Sequence, residues 1–178
     1  MICVSTQPAD LRRAMRRLAP LFIAASLLLG AAWSPARADS IGAARSAYAR
    51  GDFARVVRLL TPLALRGNPQ AQAMLGFMYE NGFGTPQAYE VASELYWQAA
   101  AAGNPFGQAM LGLMFDKGHG VPQDLVLAYK WLNLAAGRAR PAQRSYFLRL
   151  RNAVASKMST SQIAEAQALA LSWFPGPL

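Results

Sequence analysis

Gly67-Asn68-Pro69-Gln70-Ala71-Gln72-Ala73-Met74-Leu75-Gly76 returns as Gly103-Asn104-Pro105-Phe106-Gly107-Gln108-Ala109-Met110-Leu111-Gly112, a shift of 36 residues. The register continues without a gap: Gly82-Phe83-Gly84-Thr85-Pro86-Gln87 returns as Gly118-His119-Gly120-Val121-Pro122-Gln123, and Ala99-Ala100 as Ala135-Ala136. A sustained period of this length marks a repeat architecture, in which each unit buries its apolar face only against its neighbours.

Glycines and prolines divide each unit in two. Pro69 and Pro105 suit the first turn of a helix, where the missing N–H breaks no bond. Asn68 and Asn104 stand before them as N-caps. The spacing predicts first helices over Pro69 to Glu80 and Pro105 to Asp116, each ending at a Gly-x-Gly that permits positive φ. Second helices are expected to start at Pro86-Gln87 and Pro122-Gln123 and to close at Gly103 and Gly137. Ala71, Leu75 and Tyr79, matched by Gly107, Leu111 and Phe115, form one apolar stripe on the first helices. On the second helices Ala92, Leu95, Tyr96, Ala99 and Ala100 match Ala128, Trp131, Leu132, Ala135 and Ala136. Gly76 and Gly112 fall mid-helix, where glycine costs about 1 kcal/mol against alanine. The same cost at the same place twice predicts a close helix approach.

Two units are too few for a stable stack, which normally needs about three with atypical ends. Upstream, Asp52, Phe53, Val56, Leu59, Leu60, Leu63 and Ala64 stand 36 residues before Ala88, Tyr89, Ala92, Leu95, Tyr96, Ala99 and Ala100. This predicts an N-terminal half-repeat: a short helix around Ile41 to Ala49, a tight Arg50-Gly51-Asp52 turn, and a second helix that Pro62 should kink or break. Downstream, Pro141 to Met158 reads as a basic amphipathic helix with Phe147, Leu150 and Val154 on its apolar side. Ser159-Thr160-Ser161-Gln162 reads as a capping box opening a last helix to about Trp173.

The pattern Gly-Asn-Pro-x-x-Gln-Ala-x-Leu-Gly, then Gly-x-Gly-Val-Pro-Gln-Asp, then Ala-x-x-Trp-x-x-x-Ala-Ala resembles the Sel-like repeat, a relative of the tetratricopeptide repeat. The second copy carries the pattern best. The first departs at Thr85 for valine, Ala88 for the acid and Leu95 for the tryptophan. The segment from Met158 to Ala170 is similar to the C-terminal extension of exported bacterial members. The resemblance, from about Ser40 to Trp173, implies an all-α, short right-handed α/α solenoid of antiparallel helix pairs, with an N-terminal half-repeat and a C-terminal helical cap. It also implies a scaffold for protein complexes rather than an enzyme. The expected divisions are 1–38 leader, 39–66 N-terminal helical hairpin, 67–102 and 103–138 repeats, 139–174 helical cap and 175–178 tail.

The leader accounts for half of the apparent basic character. Of 178 residues, 18 are Lys or Arg and 9 Asp or Glu, net +9; residues 1–38 hold five arginines against Asp10, leaving +5 for the rest. Arginine pairs, an apolar run from Leu18 to Ala32 and the small-residue exit Ala36-Arg37-Ala38 have the layout of a Sec-type secretory signal peptide, with cleavage expected after Ala38. Met1 and Met15 are both open as the start, and an uncleaved leader would tether the same domain outside the membrane. The arginine pairs alone do not establish a twin-arginine route. Cys3, the only cysteine, lies in the leader, so neither disulfide nor thiolate nucleophile is expected in the mature chain. A periplasmic or secreted monomer follows as the expectation.

No catalytic constellation emerges, and no catalytic, cofactor or metal residue is assigned. His119, the only histidine, has no fellow ligands and takes a loop role. Glu80 and Asp116 occupy equivalent helix ends, and Asp124 suits a helix N-terminus. The run Arg138, Arg140, Arg144, Arg149, Arg151 and Lys157 admits two readings: a solvated face aiding helix C-termini, or a surface for an acidic partner or anionic lipid. Trp131, Tyr96 and Tyr79 read as core, and Trp97, whose counterpart is Asn133, as a partner-facing anchor. Export and the lack of a recognition motif argue against nucleic acid. Three functions stay open: a scaffold binding a protein or peptide; a peptidoglycan-related hydrolase or penicillin-binding-type enzyme, by analogy with cysteine-rich relatives whose disulfides this chain lacks; and a basic module for anionic lipid or polymer. Membrane contact is expected only through an uncleaved leader or the basic C-terminal helices.

Overall fold

The computed structural model describes residues 36–173. By its internal contacts the chain divides into Met1–Ala38 and Asp39–Leu178. The leader with its expected cleavage point, Cys3 and the tail from residue 174 lie outside the described residues or at their edge. The described residues form α1 (Ala36–Ala49), α2 (Phe53–Ala64), α3 (Pro69–Asn81), α4 (Tyr89–Ala101), α5 (Pro105–Lys117), α6 (Leu125–Arg138), α7 (Pro141–Ala155) and α8 (Thr160–Leu171), with no strand among them. This is an all-α solenoid of helix pairs.

The expected caps form. Asn68 Oδ1 accepts from the N–H of Gln70 at 3.0 Å and of Ala71 at 2.9 Å, and Asn104 Oδ1 from Gly107 at 2.9 Å. Both first helices end at a left-handed glycine, Gly82 at φ 67° and Gly118 at φ 70°. The capping box at Ser159 and Gln162 is complete.

The second helices begin later than the prolines suggest. Pro86 and Pro122 lie in extended lead-ins, and α4 and α6 open at Tyr89 and Leu125. The lead-in is drawn back along the preceding helix. Ala88 N–H donates to the Tyr79 carbonyl at 3.0 Å and Asp124 N–H to that of Phe115 at 2.9 Å. Gln87 and Gln123 donate through Nε2 to the carbonyls of Glu80 and Asp116, at 2.8 and 2.7 Å. These glutamines close one helix instead of opening the next. Gly103, at φ 79°, does follow the end of α4, whereas Gly137 is an ordinary helical residue and α6 runs on to Arg138. The chain leaves the helix at Ala139 because Arg140 precedes Pro141 and is held extended. Pro62 does not break α2. It stands in the last turn, where only the bond to the Arg58 carbonyl is lost, while Leu60, Leu63 and Ala64 are buried on either side of it. Helix α7 stops at Ala155, before Met158, and α8 stops before Trp173.

The mid-helix glycines have the packing reason their repetition implies. A Cβ on Gly76 would stand 2.9 Å from Tyr96 Cε1, and one on Gly112 would stand 2.8 Å from Leu132 Cγ and 3.0 Å from the Ala128 carbonyl. Tyr96 and Leu132 are equivalent and fully buried. Each hairpin therefore closes glycine face to large side chain.

Successive units are joined by matching contacts. A Cβ on Gly84 would fall on the Phe53 carbonyl group, and one on Gly120 on that of Tyr89, its counterpart 36 residues on. Buried Gln72 donates to the Ala64 carbonyl at 3.3 Å, and buried Gln108 to that of Ala100 at 3.2 Å. The hairpin α1–α2 is thus a unit in register with the repeats. Its core of Ile41, Ala44, Val56, Leu60 and Leu63 joins α3 through Ala71, Leu75 and Met78. At the other end α7 and α8 both pack on α6, sealing it with Phe147, Val154 and Ala166.

Candidate functional site

The first helices α1, α3 and α5 present a row of aromatic rings. Tyr48 meets Phe77 at 6.2 Å between centroids, and Phe77 meets Phe106 at 6.3 Å. Tyr48, Met74, Phe77, Met78 and Phe106 line an apolar depression of about 230 Å³. Met74 and Phe106 also border a second, polar hollow of about 540 Å³, whose rim carries Arg45, Gln70, Arg138, Arg140 and Gln143. Arg45 and Arg140 are exposed and form no ion pair among the described residues.

The other basic residues of the C-terminal run are committed within the fold. Arg144 donates from Nε to the Ala136 carbonyl at 3.0 Å and from Nη2 to that of Gly137 at 3.3 Å, satisfying the end of α6. Arg151 donates to the Asn133 side chain at 3.0 Å and stands over the Tyr129 ring. Arg138 stacks 4.4 Å from the centroid of Trp173, and Arg149 stands over Tyr146. Lys157 pairs with Asp116 at 2.8 Å, tying the end of α7 to α5. The run is mostly architectural, while Arg140 stays uncommitted on the rim of the polar hollow.

The acids singled out in the sequence are separately engaged. Glu80 Oε2 accepts from the Tyr96 hydroxyl at 2.7 Å. Burial, then the charge of Glu80 and this bond, push the Tyr96 pKa far above its usual value. Asp116 is held by Lys157, and Asp124 caps α6 by accepting from the Leu127 N–H at 2.9 Å. His119 lies against the Tyr89 ring at 4.4 Å. Among the described residues no three His, Cys, Asp or Glu side chains gather as a metal site. Tyr96 and Trp131 are core, as expected, and Tyr79 is half-buried.

A third hollow, of about 690 Å³, opens on the opposite side between the second helices α2 and α4, over Leu75 and Gln72 of α3. Its trace in the sequence is Leu95, which stands where the second copy has Trp131.

The Sel1 repeat pattern matches residues 69–104 and 105–138, a frame two residues later at its start than the divisions expected from the glycines. The chain belongs to the Sel1-like repeat family. Sel1-repeat proteins are generally scaffolds for protein–protein interaction. Among solved structures, a protective antigen of uropathogenic Escherichia coli strains displaying an SLR fold is 26% identical, with a TM-score of 0.61 over 66% of this chain. This Sel1-repeat chain spans only 24% of that antigen's length. A Sel1 repeat protein from Oxalobacter formigenes is 37% identical over 53% of this chain and 71% of its own, with a TM-score of 0.48. No curated protein matches.

Proposed function

We propose that this protein is an exported, non-enzymatic adaptor of the cell envelope that holds a protein segment on its first-helix face. The observation that carries the reading is the continuity of an apolar floor, Tyr48, Met74, Phe77 and Phe106, with a rim of uncommitted arginines at 45 and 140. Such a surface suits a short segment that buries one or two apolar side chains and offers a carboxylate to the arginines. A small groove fits a peptide or a single helix better than a large assembly. The leader's three-part layout supports export, and the engagement of Glu80, Asp116 and Asp124 in structural contacts supports a role without catalysis.

Crosslinking in the native envelope, followed by partner identification, tests the reading. The wild-type chain should capture a protein partner that Arg45→Glu/Arg140→Glu loses, and the amino terminus of the fractionated protein should begin at Asp39. Failure to capture any protein, together with turnover of a cell-wall substrate by the purified chain, would overturn it.

A further inference from the structure

The hollow between α2 and α4 has a counterpart one unit on, between α4 and α6, and the two differ in what fills them. In the second, Trp97 and Trp131 meet edge to face at 5.7 Å, and Trp173 closes on Trp131 at 5.8 Å. Trp131 is 3% exposed. The positions 36 residues earlier hold Thr61 and Leu95, so both indoles are replaced by smaller side chains and an open slot of about 690 Å³ remains. Apolar surface is left facing solvent around it: Leu65 is 83% exposed and Val91 42%.

The rim has also changed sign. Lys130, which stands 4.8 Å over the Trp131 ring, corresponds to Glu94, and Val126 corresponds to Glu90. Neither glutamate forms an ion pair among the described residues. Glu94 is held in place by a relay across the slot: buried Gln72 donates to Gln98 Oε1 at 2.9 Å, and Gln98 Nε2 donates to Glu94 Oε1 at 2.9 Å. In the second unit Gln98 becomes Leu134, the relay is absent, and Gln108 Oε1 is buried without a partner. The first slot is thus apolar at its base and acidic at its edge, on a domain otherwise rich in arginine.

We propose that this slot docks a partner protein segment that presents an aromatic side chain next to a basic one. The aromatic ring takes the space that Trp97 and Trp131 fill one unit on, and the cation meets Glu90 and Glu94. The surface is distinct from the first-helix face and does not depend on it, which gives the protein two docking surfaces of opposite charge preference.

Calorimetric titration of the full chain with the blocked peptide Gly-Lys-Trp-Lys-Gly, and with its Trp→Ala and Lys→Glu versions, tests the assignment. The parent peptide should bind, and each altered peptide should bind roughly tenfold more weakly or not at all. Leu95→Trp should fill the slot and abolish binding. Glu94→Lys, at an exposed helix position, should weaken binding by roughly tenfold and flatten its salt dependence. Arg45→Glu/Arg140→Glu should bind the peptide as wild type does. Absence of binding at millimolar peptide, equal binding of the Lys→Glu peptide, or unchanged binding by both Leu95→Trp and Glu94→Lys would overturn the proposal. So would self-association of the chain that Leu95→Trp removes, since the occupant would then be a second copy.

Discussion

The Tyr96 hydroxyl, at the centre of the α3–α4 hairpin, donates a 2.7 Å hydrogen bond to Glu80 Oε2 at the end of α3. The ring that makes this bond is the one that fills the hollow above Gly76. One side chain therefore sets both the separation of the two helices and the position of a carboxylate that sequence alone offered as a candidate acid. Tyr96→Phe keeps the ring and removes the bond. Because Glu80 is half-buried and can be rehydrated, the expected loss is about 1–2 kcal/mol, measured by urea unfolding.

The same residue makes stability depend on alkaline pH. Its pKa is raised in the folded state, so above the ordinary tyrosine value of about 10 the unfolded chain gives up this proton while the folded chain keeps it. The unfolded state then binds fewer protons, and stability falls as pH rises. The contribution is complete below about pH 10 and declines above it by about 1.4 kcal/mol per pH unit. Unfolding free energies measured from pH 8 to 11 should show this slope in the wild type, reduced by one proton's worth in Tyr96→Phe.

Gly112→Ala should destabilise although alanine is the better helix former. The added methyl meets Leu132 Cγ and the Ala128 carbonyl of a backbone that has little room to move. Overpacking of this kind costs about 1–3 kcal/mol, against a propensity gain of about 1 kcal/mol. A lowered thermal midpoint is the expected result. Gly118→Ala and Gly120→Ala form a matched comparison: both positions have positive φ, but only at Gly120 does a Cβ also strike the Tyr89 carbonyl. Gly120→Ala should be the more damaging by denaturant midpoint.

Arg144→Ala should cost about 1 kcal/mol, because it strips two carbonyls at the end of α6 of their donor. Arg140→Ala should leave the unfolding free energy within about 0.5 kcal/mol, since the side chain is exposed and uncommitted. Unfolding curves separate the two. If Arg140→Ala proved as costly as Arg144→Ala, the division of the basic run into architectural and free residues would fail.

Lys157→Ala tests the tie between the cap and α5. Lys157 is 51% exposed, so solvent screens the pair with Asp116 and the expected loss is under about 1 kcal/mol. Hydrogen exchange should show the effect confined to the end of α7 and the turn before α8, as local opening rather than global unfolding.

Much of this protein was legible from the chain. The 36-residue register, the Asn-Pro helix starts, the glycine exits and the Ser159 capping box are local signals, because one residue's conformational preference or one short hydrogen bond decides each of them. Repetition supplied what a single copy could not: Gly76 alone is ambiguous, but Gly76 with Gly112 implied a tight hairpin, and both meet large side chains. The starts of α4 and α6 fall later than the prolines predict because Gln87 and Gln123 reach back to close the preceding helix, a contact that proline placement does not encode. The continuity of α2 through Pro62 and of α6 through Gly137 was settled by neighbours, buried Leu60 and Leu63 in one case and the extended Arg140-Pro141 step in the other.

What the sequence by itself determined is the repeat, its helix pairs and the family, since these follow from period and local preference. What only the tertiary structure decided is which side chains remain uncommitted. Arg144 and Arg140 are alike in the chain, and only the packing of α7 on α6 gives one two carbonyls and leaves the other on an open rim. Leu95 in place of tryptophan reads as a minor departure until the second helices are set side by side. The missing ring is then a slot, because the backbone of each unit repeats and a smaller side chain in a fixed frame leaves space.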